Sequence, residues 1–248
     1  MSYRYTWDEA NRLLEARERL ARVMDHSPLS VFIGYDPREA VAYHVLVQSL
    51  IETSSKPLAI TPIRRSTLSE YARPSNGTEA TEFSFTRFLV PHLCNFRGLA
   101  LFMDCDMLVT SDIAEVFATA EADPSKAVWC CQHDYTPSVA TKFLGNAQKA
   151  YPRKNWSSFL LFRNDKCQML TPDYVNTASA ADLHRLAWVS DDVIGALPLT
   201  WNYLVGEPNQ PTEAPKNIHW TIGGPWFDDY AGADHAALWF RMKNKAGL

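Results

Sequence analysis

The run Leu99-Ala100-Leu101-Phe102-Met103 ends on Asp104-Cys105-Asp106, and this junction constrains the chain more than any other segment. Five apolar residues without alternation fit a strand buried on both faces, as in sheets covered by helices. In an extended chain, residues i and i+2 point to the same side. Two carboxylates at the strand's end therefore converge on one hard cation, while the Cys105 side chain between them points away. A divalent cation at the C-terminal edge of a strand suits an anionic ligand such as a nucleoside diphosphate. The same Asp-x-Asp spacing also serves as ordinary turn chemistry, so the remaining sequence has to decide.

Strand and helix patterns alternate along the chain. Leu29–Asp36 reads as a first buried strand turning at Asp36-Pro37, Arg38–Thr53 as a helix and Pro57–Ile63 as a second strand. Arg64–Gly77 reads as a loop, and Thr78–His92 as a helix stopped near Pro91. Ala127–Cys131 and Trp156–Phe162 read as further strands. This order predicts an α/β fold with a Rossmann-like, mostly parallel mixed sheet flanked by helices, whose ligands bind where the strands end. Polar clusters close three of the strands, at Gly34-Tyr35-Asp36, Asp104-Cys105-Asp106 and His133-Asp134. Neither a Gly-x-Gly-x-x-Gly fingerprint nor a P-loop is present.

With 248 residues and no linker-like stretch, residues 28–248 are expected to form one domain. Residues 1–27 carry Trp7, Leu13, Leu14, Leu20, Val23 and Met24 at helical spacing, an amphipathic extension suited to packing on the domain or on a second copy in a homo-oligomer. The formal charge of −4 offers no basic field for nucleic acid. The five cysteines lack Cys-x-x-Cys spacing and read as reduced, buried thiols. Neither a signal-peptide pattern nor a transmembrane run is found, so a cytoplasmic protein is expected.

A second polar segment, Ile218-His219-Trp220-Thr221-Ile222-Gly223-Gly224-Pro225-Trp226, supplies an imidazole suited to join two carboxylates on a metal, and paired glycines that let backbone approach a phosphate. Without further context, a core histidine followed by a plain turn explains it as well. Four segments together resemble the family 8 retaining glycosyltransferases, which include glycogenin and bacterial lipo-oligosaccharide galactosyltransferases. They are Val31–Asp36, the Arg87-bearing Phe85–Pro91, the Asp-x-Asp strand Leu101–Val109, and His219–Trp226, spread over roughly residues 30–226.

The resemblance implies a GT-A nucleotide-diphospho-sugar transferase fold and transfer of a hexose, with retention of configuration, from a nucleotide sugar, a UDP-hexose first of all. Asp104, Asp106 and His219 would bind Mn²⁺ or Mg²⁺. Ile33, Gly34, Tyr35, Asp36, Arg87, Asp104, Cys105, Gly223 and Gly224 would line the donor, with Asp36 accepting from base or ribose. The acceptor, whether glycan, lipid or protein, is not specified. Asp191 and Asp192 stand where the family's Asp-Gln-Asp segment is expected and, with Arg87, are the catalytic candidates. Asp134 is a further carboxylate to weigh, and a helix cap at Asp191-Asp192 is the plain alternative. Gly224 replaces the lysine that precedes Pro-Trp in the family, and Lys216, Arg241 or Lys243 is expected to supply that charge. Two other readings stand beside this one. The first is a catalytically impaired nucleotide-sugar binder of the same fold. The second is a metal-dependent nucleotidyltransferase, for which the Tyr35-Asp36-Pro37-Arg38 turn is a poor phosphate loop.

Overall fold

A computed structural model describes residues 12, 15, 27–75, 79–134, 153 and 155–248, so the N-terminal extension expected as an amphipathic helix lies, but for residues 12, 15 and 27, outside the described residues. Strand β1 (Leu29–Gly34) pairs in parallel with β2 (Leu58–Ile63) on one side and with β3 (Leu99–Met103) on the other. Strand β6 (Phe159–Arg163) lies antiparallel between β3 and β5 (Val128–Cys131), and β7 (Ile194–Leu197) closes the sheet in parallel with β5. The order is β2-β1-β3-β6-β5-β7, with β6 alone running against the others. The mostly parallel mixed sheet expected from the sequence is therefore present.

Asp36 starts the first helix. Its carboxylate accepts from the Arg38 backbone N–H, and Pro37 follows at the first position of a 3-10 turn that runs into α1 (Ala40–Thr53). Helix α1 is buried on two sides: Leu46 and Leu50 enter the main core over the large sheet. Val45 joins a second apolar cluster with Leu108, Ile218, Trp220 and Trp239. This second cluster lies under a small sheet of β4 (Met107–Val109), β9 (Asn217–His219) and β8 (Tyr203–Leu204), ordered β4-β9-β8.

Three local expectations are corrected. Thr78–His92 is not one helix. Turns and a 3-10 segment, Thr86–Leu89, lead into the four-residue α2 (Val90–Leu93), with Pro91 in its first turn, where a missing N–H costs nothing. Its apolar residues serve the core rather than a helical stripe, Phe83 and Phe88 being fully buried. Trp156–Ser158 is a 3-10 turn entered through Asn155 in the left-handed region (φ 65°), and the strand begins only at Phe159. Asp191-Asp192 does not cap a helix. These residues open a 3-10 turn that leads directly into β7, where Gly195 leaves room for the Trp129 ring 2.3 Å from where a Cβ would stand.

Candidate functional site

The bend between the two sheets is Asp104-Cys105-Asp106. The Asp104 N–H donates to Ser158 O (3.0 Å), one step beyond the last β3–β6 pair. Across the small sheet Met107 faces His219, and Trp220 N–H donates to Asp106 O at 3.0 Å. The pairing register thus sets the imidazole beside the second acid, with His219 Nε2 3.2 Å from Asp106 Oδ1. One ligand atom each from Asp104, Asp106 and His219 lie within 4.8 Å of one another, the single such group among the described residues. Two carboxylates and an imidazole form a donor set that fits Mn²⁺ or Mg²⁺. Cys105 is fully buried in the main core, and burial pushes its thiol well above the ordinary range, leaving it inert.

Arg87 stands directly behind Asp104. Its Nη1 lies 2.8 Å from Asp104 Oδ1 and donates to Ser157 O at 2.7 Å, while Nε donates to Phe83 O at 3.3 Å. The guanidinium carbon lies 4.9 Å from the Phe102 ring centre. Asn202, fully buried, receives His219 Nδ1 at 2.8 Å on its Oδ1. Its Nδ2 donates to Ser158 Oγ (3.0 Å) and Asn155 O (3.2 Å). The Asn155–Ser158 turn therefore touches the supports of both Asp104 and His219.

Two buried histidines flank this network. Burial drives His133 down to about 4, opposed by a hydrogen bond to the Asn202 backbone. Burial likewise takes His184, bonded to Ser157 Oγ through Nδ1 at 2.8 Å, to about 3.

The end of β1 departs from expectation. Asp36 is fully buried, and its carboxylate takes four N–H donors from its own chain: Arg38 N, Nε and Nη2, and Glu82 N. Burial opposes its charge, but the Arg38 and Glu82 hydrogen bonds prevail and hold it below the usual carboxylate range. Four donors fill a carboxylate, so Asp36 has no capacity left for a base or ribose. Ile33 is fully buried in the core, and Phe83 occupies the space beside Gly34, 2.3 Å from where a Cβ would stand. Tyr35 is half-buried, edge-on to Tyr43 at 5.5 Å. At Gly223 and Gly224 the rings of Tyr230 and Trp226 stand 2.6 and 2.0 Å from where a Cβ would be. The glycines thus admit aromatic rings on those sides.

Asp191 and Asp192 are not brought to the triad. They precede β7 at the end where the parallel strands begin, and neither joins the group formed by Asp104, Asp106 and His219. Asp191 is exposed and paired with Arg153 (2.6 Å), which holds its carboxyl below the usual range. Asp134 follows β5 on the triad's rim and is exposed. Lys216 does not replace the family lysine: it precedes β9, at the end away from His219, and is ion-paired with Glu115. Lys243 lies over the Trp239 ring, and Arg241 is exposed on the helix Ala236–Lys245.

Sequence reasoning missed Asn202 and Glu39. Glu39 is 1% exposed, and neither carboxylate oxygen has a hydrogen-bond partner. Burial first, then the charges of Asp106, Asp36 and Asp104, push it well above the ordinary carboxylate range. An acid in the first turn after a proline reads as a solvated helix start, and Asn202 belongs to no motif, so no local signal marks either.

No family model matches the chain. Protein CDI of Arabidopsis thaliana is 46% identical over 224 residues, covering 87% of this chain and 86% of that protein. This chain belongs to the Protein CDI family. Among solved structures, the WbbM bifunctional glycosyltransferase aligns with 88% of the chain at TM-score 0.61 and 14% identity. The chain spans half the length of that protein. The galactosyltransferase LgtC, solved with donor and acceptor sugar analogues, aligns with 88% of this chain and 96% of its own at TM-score 0.56 and 11% identity. The fold of this Protein CDI relative is therefore the GT-A glycosyltransferase fold. No helix among the described residues is long and apolar enough to cross a membrane.

Proposed function

We propose that this member of the Protein CDI family is a metal-dependent glycosyltransferase that takes a hexose from a nucleotide sugar, UDP-hexose first, and transfers it with retention of configuration. The observation that carries the proposal is the convergence of Asp104, Asp106 and His219 at the rim where the parallel strands end. Breaking a glycosyl phosphate bond needs the leaving diphosphate neutralised and oriented, which a divalent cation held by these three residues supplies. Arg87 holds the Asp104 carboxylate in place and keeps a fixed positive charge in the site. Tyr35 offers a half-buried ring for the base. Of the carboxylates considered as stabilisers of charge at the anomeric carbon, Asp134 stands on this rim. Glycosyltransferase structures of the same fold support the reading.

One observation favours the second reading, a nucleotide-sugar binder without transfer. The lysine position is Gly224, and Lys216 is held by Glu115. Calorimetry with UDP, GDP, CDP and ADP, with and without Mn²⁺, on wild type and Asp106→Ala separates the cases. Transfer requires one diphosphate to bind only with Mn²⁺, that binding to vanish in Asp106→Ala, and the matching sugar nucleotide to be turned over. Binding without turnover of any sugar nucleotide favours the binder. Absence of binding under every condition sinks both.

A further inference from the structure

We propose that Asn202 is a positioning residue that fixes the tautomer of His219, leaving Nε2 as a lone-pair donor for the cation. The inference rests on the metal reading above for its consequence, but its geometry stands independently. The Asn202 amide is fixed by its neighbours. Ser158 Oγ donates its own hydrogen to Asn155 O at 2.8 Å and so accepts from Asn202 Nδ2. A second Nδ2 hydrogen points to Asn155 O. With the amino side engaged, the side facing the imidazole is Oδ1, which only accepts. His219 Nδ1, 2.8 Å away, must therefore carry the proton. In a neutral imidazole the other nitrogen is then bare, and Nε2 is the atom that faces Asp106. Both Asn202 and His219 are buried, 0% and 1% exposed, so water does not compete for these positions.

The arrangement also locks ring orientation. Asn202 lies at the end of the 3-10 turn Leu199–Asn202, held to the Asn155–Ser158 turn by its amide. The same turn accepts the Asp104 N–H through Ser158 O and the Arg87 guanidinium through Ser157 O. One short turn therefore sets the backbone of one acid, the partner of that acid and the orientation of the imidazole. Outer partners of metal ligands act in this way elsewhere, and their loss weakens metal binding about 10- to 100-fold.

The decisive measurement is the ¹⁵N spectrum of metal-free, ¹⁵N-histidine-labelled full-length protein at pH 8, with the His219 signals assigned by their loss in His219→Gln. An Nδ1–H tautomer is expected. The Asn202→Leu variant should shift His219 toward Nε2–H, donated to Asp106, and weaken Mn²⁺ binding 10- to 100-fold by calorimetry. Asn202→Asp keeps an acceptor for Nδ1–H while losing the Nδ2 bonds to the Asn155–Ser158 turn, and should retain the tautomer, which separates positioning from mere folding. An Nε2–H tautomer or a doubly protonated ring in wild type, or unchanged Mn²⁺ affinity in Asn202→Leu, overturns the inference. Wild-type protein that shows Nδ1–H but binds no Mn²⁺ with or without nucleotide overturns the metal reading instead, and with it the role given to Asn202.

Discussion

Glu39 is buried near this site without a countercharge of its own. Asp36 has Arg38, and Asp104 has Arg87, but the Glu39 carboxylate is buried without a partner among three other acids. Its folded-state pKa is raised above the value of an unfolded chain, so above about pH 4.5 unfolding releases a proton that the folded protein retains. Stability should therefore fall as pH rises from 4.5 through that raised value, with no penalty below it. Glu39→Gln removes the effect. It should raise folding stability by about 1 kcal/mol or more at pH 8 and leave it nearly unchanged at pH 4, as read by urea denaturation. Equal gains at the two pH values would show that charge is not the cause. Arg87 is the converse case: Arg87→Ala removes the guanidinium beside the Asp104 carboxylate and the donor to two carbonyls, and should cost about 3–5 kcal/mol. Arg87→Lys restores the charge without the fork and should recover only part of that loss in the same denaturation experiment.

The elements place these residues through close contacts that sequence only partly reveals. The apolar runs of β1, β3 and β5 were legible because buried strands need no distant information. The Asp104–Asp106–His219 group was legible from residue type, while the cross-strand register that joins it exists only in three dimensions. The segment from Thr78 to His92 reads as a helix because Phe85, Phe88 and Leu89 stand at helical spacing, whereas in the structure they join Phe83 in the main core from turns and a 3-10 segment. Asp191-Asp192 was misplaced because the motif fixed identity, not the rim of the sheet on which it stands. Gly34 tests the close packing directly. An alanine there drives its Cβ into the Phe83 ring, whose carbonyl holds Arg87, and Gly34→Ala should cost about 1–3 kcal/mol. Thermal unfolding of that variant within 1 °C of wild type would mean that Phe83 can retreat freely.

At the scale of the whole molecule, the buried imidazoles set acid tolerance. His184 and His133 are depressed by burial to about 3 and about 4, below the ordinary 6.5. The unfolded chain takes up protons that the fold refuses, so this stability is complete above pH 6.5 and is lost as pH falls toward those values. Each group steepens the decline by about 1.4 kcal/mol per pH unit within its window. His184→Gln should flatten the fall measured by urea denaturation between pH 6 and pH 4; an unaltered slope would assign acid sensitivity elsewhere. The direction of β6 has a different reach. Because β6 alone opposes its neighbours, the chain leaves β5 at Cys131 and re-enters the sheet at Phe159 on one rim, the rim of the triad. An insertion there never has to cross the sheet, and doubling such a connection costs only about 0.6 kcal/mol in closure entropy. New chain can thus be added beside Asp104, Asp106 and His219 while every strand keeps its partner.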